Sequence, residues 1–261
     1  MKAISLRLRT GTTESIDISS LRLEDLVERT PDQISHLVIR VDSLSVQLGE
    51  IFELESQTTG DSHPTLVLKG DCRRVHHLGH QHRVGRIMVE ADIGDHCGAC
   101  MSGGSIRIAG NAGRYLAAPT GSRKGGMDGG QIVVGGSAGD FAGSRMRRGE
   151  IWIAGDAGAK VAAWQVAGTI GVGGVVGNHV GYGMRRGTLI LAAATRLPEF
   201  RFTTPIELAT PFLALRLHNS ALRSIWPPAR PETGLTQWFT SRGDRSIGGI
   251  GEVWHPLPPP N

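Results

Sequence analysis

From Arg86 onward the sequence returns to itself, and that periodicity constrains the fold more tightly than any local motif. Units begin at Arg86, Ser105, Gln131, Glu150, Thr169 and Thr188, in steps of 19, 26, 19, 19 and 19 residues. The step of 26 is a 19 carrying seven extra residues around Pro119–Gly126, and a looser unit starts near Thr65. Within each unit two branched apolar residues flank a variable one: Ile87, Met88, Val89; Ile106, Arg107, Ile108; Ile132, Val133, Val134; Ile151, Trp152, Ile153; Ile170, Gly171, Val172. That period of two marks a strand with one buried face. Gly94, Gly113, Gly139, Gly158 and Gly177 recur at the ninth position, where a corner with positive φ is expected. Asp92, Asn111, Ser137 and Asp156 stand two residues earlier and are expected to bond their own turning backbone. Met101, Met146 and Met184 share a slot, and Gly104, Gly149, Gly168 and Gly187 close the units. One such unit cannot bury its apolar side alone; neighbours stacked about 4.8 Å apart can. Small residues at Ala138, Ala142, Ala157 and Ala162 imply a narrow interior. The expected fold class is all-β, a right-handed parallel β-helix of about six 19-residue coils. The right hand is favoured because the step does not divide into six-residue sub-repeats, the mark of the left-handed form.

Composition narrows the function classes. The 37 glycines in 261 residues follow no every-third rule, so the chain is not collagenous, and 39 % hydrophobic residues support a packed interior. No stretch approaches the roughly 18 apolar residues of a membrane span, and the alternating N-terminus lacks a signal-peptide core. Three cysteines are too few for a disulfide framework, which points to the cytoplasm. A net charge of +4 is modest for a nucleic-acid binder, so neither nucleic acid nor membrane is an expected partner. Arginine outnumbers lysine 24 to 4, a bias suited to bidentate contacts with carboxylate or phosphate.

Candidate chemistry is sparse. Cys97 and Cys100 form a C-x-x-C, with His76, His77, His80 and His82 one unit earlier. Register separates them: Cys97 shares a core slot with Leu116, Ala142, Val161 and Val180, Cys100 falls on another face, and His82 occupies the methionine slot. No metal site is expected. Neither G-x-G-x-x-G nor a phosphate-binding P-loop is present, and no nucleophile elbow marks a catalytic serine. Catalytic residues are therefore expected to be absent. The positive feature is a basic corner: Arg147 with Arg148, and Arg185 with Arg186, recur two units apart, hence about 10 Å from each other. Arg145 and the inserted Arg123 and Lys124 are grouped with them. Clustered cations favour multivalent carboxylates.

The ends depart from the repeat. Residues 1–60 are read as a small α/β cap, with Ile4, Leu6 and Leu8 on a strand, a helix over about 21–30 capped by Ser20 and ending before Pro31, and a strand at His36–Val41. Residues 61–195 hold the repeat. Residues 196–261 are read as a helix starting at Thr210 and Pro211, then an extended Pro/Trp-rich tail with Trp226, Trp238, Phe239 and Trp254. Large aromatics in an extended segment suit a strap over another protein of an assembly or over the repeat itself.

The motifs Gly110-Asn-Ala-Gly113, Gly155-Asp-Ala-Gly158 and Met146-Arg-Arg-Gly149-Glu-Ile-Trp-Ile153 resemble a glycine-repeat domain found in two families. One is the C-terminal domain of the glutamate synthase large subunit. The other is the glycine-repeat subunit of formylmethanofuran dehydrogenase, with its bacterial counterpart in the formyltransferase/hydrolase complex. The resemblance covers roughly residues 46–195. Chain length and the lead-in Val46–Leu54 favour the second family, and the arginine-rich composition favours its bacterial branch. The resemblance implies a non-catalytic scaffold subunit of a cytoplasmic hetero-oligomer. Its partners would be an amidohydrolase-like subunit, a formyltransferase subunit and a dehydrogenase-B-like subunit. Together they would move a formyl group from formyl-tetrahydromethanopterin to methanofuran and release formate. No cofactor is expected on this chain; metal ions and the methanofuran-type carrier, with its glutamate-rich tail, would sit on partners. That tail makes the basic corner a candidate carrier or partner contact. Two alternatives remain: the corresponding glycine-repeat subunit of an archaeal tungsten or molybdenum formylmethanofuran dehydrogenase, and an independent acyltransferase-like enzyme.

Overall fold

A computed structural model describes residues 1–9, 13–121, 125–208 and 237–256. Its strands are β1 (Lys2–Leu8), β2 (Ile16–Asp17), β3 (Val38–Val41), β4 (Leu44–Gln47), β5 (Phe52–Thr58), β6 (Thr65–Lys69), β7 (Val75–His76) and β8 (Arg86–Val89). They continue with β9 (Ser102–Ile108), β10 (Asp128–Val134), β11 (Arg148–Ile153), β12 (Thr169–Val172), β13 (Thr188–Leu191), β14 (Ile206–Glu207), β15 (Trp238–Gly243) and β16 (Gly251–Pro256). Twelve of them form one sheet in the order β14-β15-β16-β13-β12-β11-β10-β9-β8-β6-β1-β5, and β4-β3-β2-β7 form a second.

The repeat dictates the register. Leu66, Ile87, Ile106, Ile132, Ile151, Ile170, Leu189 and Val253 are successive parallel partners. All eight are buried, as are the alternate residues from Leu68 through Val89, Ile108, Val134, Ile153 and Val172 to Leu191. A one-residue slip would turn this whole set outward, so burial locks the pairing.

The part of each repeat between strands is built differently. His77, His96, Tyr115, Phe141, Lys160 and His179 are all left-handed, with φ of 61 to 62°, and a second left-handed residue follows two positions later (Gly79, Gly98, Ala117, Gly143, Ala162, Gly181). Alternating left-handed residues are incompatible with an extended ladder. This side therefore forms no extended strands: its ladder is reduced to single bridges, from Cys72 through Ile93, Ala112, Ala138 and Ala157 to Val176, with further backbone hydrogen bonds between turns, such as His96 N–H to the Arg114 carbonyl and Ala117 N–H to the Cys97 carbonyl, both 2.8 Å. Each non-glycine left-handed residue costs about 1–2 kcal/mol. Stacking offsets part of that cost. The rings of His77 and His96 lie 4.8 Å apart, His96 and Tyr115 4.7 Å, Tyr115 and Phe141 5.1 Å, with the Lys160 ammonium 4.9 Å over Phe141. Ring pairs of this kind contribute about 0.5–1.5 kcal/mol each.

These observations correct the expected right-handed parallel β-helix. The strands instead make one mixed twelve-stranded sheet beside a four-stranded one, and the left-handed turns add isolated bridges. Both chain ends join the large sheet. β1 pairs parallel with β6 and antiparallel with β5, so the N-terminus joins the large sheet. The C-terminal segment does the same: β16 runs parallel to β13, and β15 and β14 follow antiparallel. Trp254, expected in an extended strap, is buried with Trp152 and Ile190 on this chain. The expected helix from Thr210 and the segment around Trp226 lie outside the described residues. Near the N-terminus the helix is shorter, α1 (Leu23–Val27), and Ser20 spends its hydroxyl on the Val38 carbonyl, 3.3 Å away. Pro31 begins a second helix, α2 (Pro31–Ser35), where Thr30 and Gln33 form a capping box.

Two corner expectations also change. Asp92, Asn111, Ser137 and Asp156 do not bond their own backbone. Each side chain accepts the amide of the next repeat instead: Asn111 N–H to Asp92 at 2.7 Å, Ser137 N–H to Asn111 at 2.8 Å, Asp156 N–H to Ser137 at 3.0 Å and Val175 N–H to Asp156 at 2.8 Å. The ninth-position glycines serve close approach rather than positive φ: a Cβ on Gly113 would lie 2.7 Å from the carbonyl carbon of Gly94.

Candidate functional site

The basic corner grows out of the methionine slot. Met146 and Met184 are fully buried, which anchors the chain and sends the two arginines after each to the surface. Gly149 and Gly187 then turn with φ of 95 and 93° and feed β11 and β13. Because β11, β12 and β13 pair in register, the two Arg-Arg pairs share one edge two strands apart, about 10 Å.

The structure divides the expected cluster. Arg145 lays its guanidinium over the Trp164 ring, 5.4 Å from the centroid, and Trp164 meets Tyr182 edge-on at 5.6 Å. Arg148 approaches the Asp128 carboxylate at 4.0 Å, mostly in solvent. Arg147, Arg185 and Arg186 are exposed and have no ion-pair partner among the described residues. Arg123 and Lys124 lie outside the described residues. Three uncommitted guanidiniums beside an aromatic pair can hold carboxylate or phosphate by forked hydrogen bonds; they cannot serve as acid or base, since a guanidinium does not titrate.

Cys97 and His82 occupy the places their register gives them. Cys97 is in the core, where burial pushes its thiol up to about 12; burial and the neighbouring Asp71 carboxylate do the same to Cys72. His82 fills the methionine slot with Nε2 3.3 Å from the Gly85 carbonyl, and burial holds its pKa down. His76 Nδ1 accepts the Asp95 amide at 2.9 Å, and His77 lies 3.3 Å from the Asp17 carboxylate. Among the described residues, no three His, Cys, Asp or Glu side chains converge as metal ligands.

Sequence reasoning missed one assembly. Arg201 and Asp244, with side chains 7 % and 2 % exposed, form a buried ion pair at 2.6 Å. Asp244 also accepts the Gly183 amide at 3.0 Å and the Ser246 amide and hydroxyl at 3.0 and 2.6 Å. Burial raises the carboxyl, but Arg201, Ser246 and the Gly183 amide outweigh it and hold the pKa at about 2. The pair carries no spacing signal: its partners are 43 residues apart. Cys100 and His80, both singled out in the sequence, each approach the Thr120 hydroxyl, at 4.0 and 3.4 Å.

No family model matches the chain, and no curated protein does. Among solved structures it is similar to a chain of the formyltransferase/hydrolase complex (FhcABCD) from Methylorubrum extorquens, crystallised in complex with methylofuran. The two are 32 % identical, over 97 % of this chain and 100 % of that one, with a TM-score of 0.76. The chain belongs to the formyltransferase/hydrolase complex family. Coverage of this extent takes in the N-terminal strands and the closing hairpin of this family member as well as its repeat. No helix among its described residues is long and apolar enough to cross a membrane.

Proposed function

We propose that this member of the formyltransferase/hydrolase complex family is its glycine-repeat subunit, a scaffold without catalysis of its own. It holds the subunits that pass a formyl group from formyl-tetrahydromethanopterin to methanofuran and release it as formate, within a cytoplasmic assembly of one-carbon metabolism. The observation that carries the reading is the end-to-end match to one chain of a multi-subunit complex. Its partners are an amidohydrolase-like subunit, a formyltransferase subunit and a dehydrogenase-B-like subunit, and the carrier and metal ions reside on those chains. The edge bearing Arg147, Arg185 and Arg186 contacts a carboxylate-rich surface, either the carrier's glutamate tail or an acidic partner; its support is the lack of ion-pair partners for these cations among the described residues.

The test is purification from the native organism through a tag on this chain, with native mass and identification of companions. Stoichiometric amidohydrolase-like and formyltransferase chains are the expected result, and a lone homo-oligomer overturns the reading. Reversal of Arg147, Arg185 and Arg186 to Glu should weaken either assembly or transfer in the intact complex. Unchanged values for both refute the role of the corner.

A further inference from the structure

At the basic corner, exposed apolar side chains alternate with the cations. Arg147, Val166, Arg185 and Ile250 stand in one column, because each amide donates at 2.8 Å to a carbonyl of the rung before it: Arg147 to Met127, Val166 to Met146, Arg185 to Gln165 and Ile250 to Arg185. All four are exposed, Val166 at 39 % and Ile250 at 63 %. With rungs about 4.8 Å apart, the column reads cation, apolar, cation, apolar. Trp164 and Tyr182, 37 % and 44 % exposed, flank it as an edge-to-face pair at 5.6 Å. A basic edge kept only for solubility needs no apolar side chains between its charges. Trp, Tyr and Arg, by contrast, are the residues that concentrate binding energy where proteins meet.

We propose that this column docks an amphipathic helix of another chain of the assembly, with carboxylates facing Arg147 and Arg185 and apolar side chains facing Val166 and Ile250. Charge complementarity supplies the sign: Arg147 and Arg185 have no ion-pair partner among the described residues. The spacing selects the helix. One helical turn advances about 5.4 Å, close to one rung, so positions i, i+4, i+7 and i+11 of one helical face meet four successive rungs. An extended strand falls out of step, since side chains on one of its faces recur about 6.7 Å apart. The proposal rests on the assembly reading and deepens its arginine edge, choosing a protein helix over the carrier's tail.

In the experiment the complex is purified through a tag on this chain. Ile250→p-benzoylphenylalanine is irradiated within it, and adducts are located by peptide mass. The expected cross-link falls on one companion segment that carries acidic residues seven apart around apolar ones. Val166→Ser with Ile250→Ser, and separately Arg147→Glu with Arg185→Glu, should each raise at least tenfold the concentration at which companions dissociate. The thermal midpoint of each variant checks its folding, and where one fails to fold the cross-link decides. Dissociation in only one of the two variants overturns the proposal, charge reversal alone being the mark of a polyanion such as the carrier's tail. Cross-links confined to this chain or to a second copy of it, or companions retained by both variants, overturn it too. A wild-type chain that purifies without companions removes the assembly reading itself, and the docked helix with it.

Discussion

The repeated strands β8–β13 and the closing hairpin β15–β16 belong to one sheet, yet they are held in it by different physics. In the repeat, the apolar residues of every strand meet their neighbours in the same register, and each strand adds a similar increment: two buried branched residues, parallel backbone bonds and one corner side chain tied to the next repeat. Stability is spread thinly over many equivalent contacts, as in other stacked arrays. The hairpin depends on one site. Asp244 gathers Arg201, Gly183 and Ser246, and Arg201 also lies 4.8 Å over the Tyr182 ring, so the segment entering β14, the last repeat and the hairpin meet there. Repetition makes a structure that loses stability in steps, whereas a buried ionic hub loses it all at once.

Substitutions at the hub should break this contrast most sharply. Asp244→Ala strands a buried guanidinium and an amide, a loss of about 3–5 kcal/mol, read by chemical denaturation, with exchange protection over 238–256 falling first. The same site has a pH signature. The Asp244 carboxyl falls from an ordinary 3.8 to about 2 on folding. Its contribution is therefore complete above about pH 4 and disappears as pH drops toward 2. The stability gap between the native protein and Asp244→Asn should be constant from pH 5 to 7 and close between about pH 4 and pH 2. A gap that persists at pH 2 would remove the hub from the account.

Ile151→Ala, in the middle of the buried ladder, is expected to cost about 2–5 kcal/mol through lost transfer energy and a cavity. The same substitution at Ile132 or Ile170 should cost a similar amount, since all three are fully buried in equivalent slots. Unequal costs in a denaturation series would show that the repeats are not equivalent. The smallest effect belongs to the corners. Asn111→Ala removes one acceptor from the exposed chain of side-chain-to-amide bonds and should cost about 0.5–1.5 kcal/mol, visible as faster exchange of the Ser137 amide.

Much of the molecule was legible from residue spacing. The pairing partners from Leu66 to Leu189 follow from the 19-residue step, because a strand with one apolar face has only one register that buries it. The core positions of Cys97 and the methionines follow for the same reason. The corner between Arg147 and Arg186 was legible because two strands of known spacing carry it. The β-helix expectation went astray where the sequence looks most regular. Glycine at the ninth position signals a tight place but not its kind, and the structure uses it for backbone approach at Gly113 while the left-handed turns fall on His96, Tyr115 and Phe141.

Sequence by itself determined the parts of this protein that interact with their own copies: strand positions, register, the buried face and the edge on which the arginines recur. Tertiary structure alone decided how the chain ends join the sheet, why Trp254 is buried beside Trp152, and which groups meet at Asp244. The division has a physical cause. A periodic pattern repeats the same local solution and leaves its period in the sequence, whereas a contact formed once between distant segments leaves no period to read.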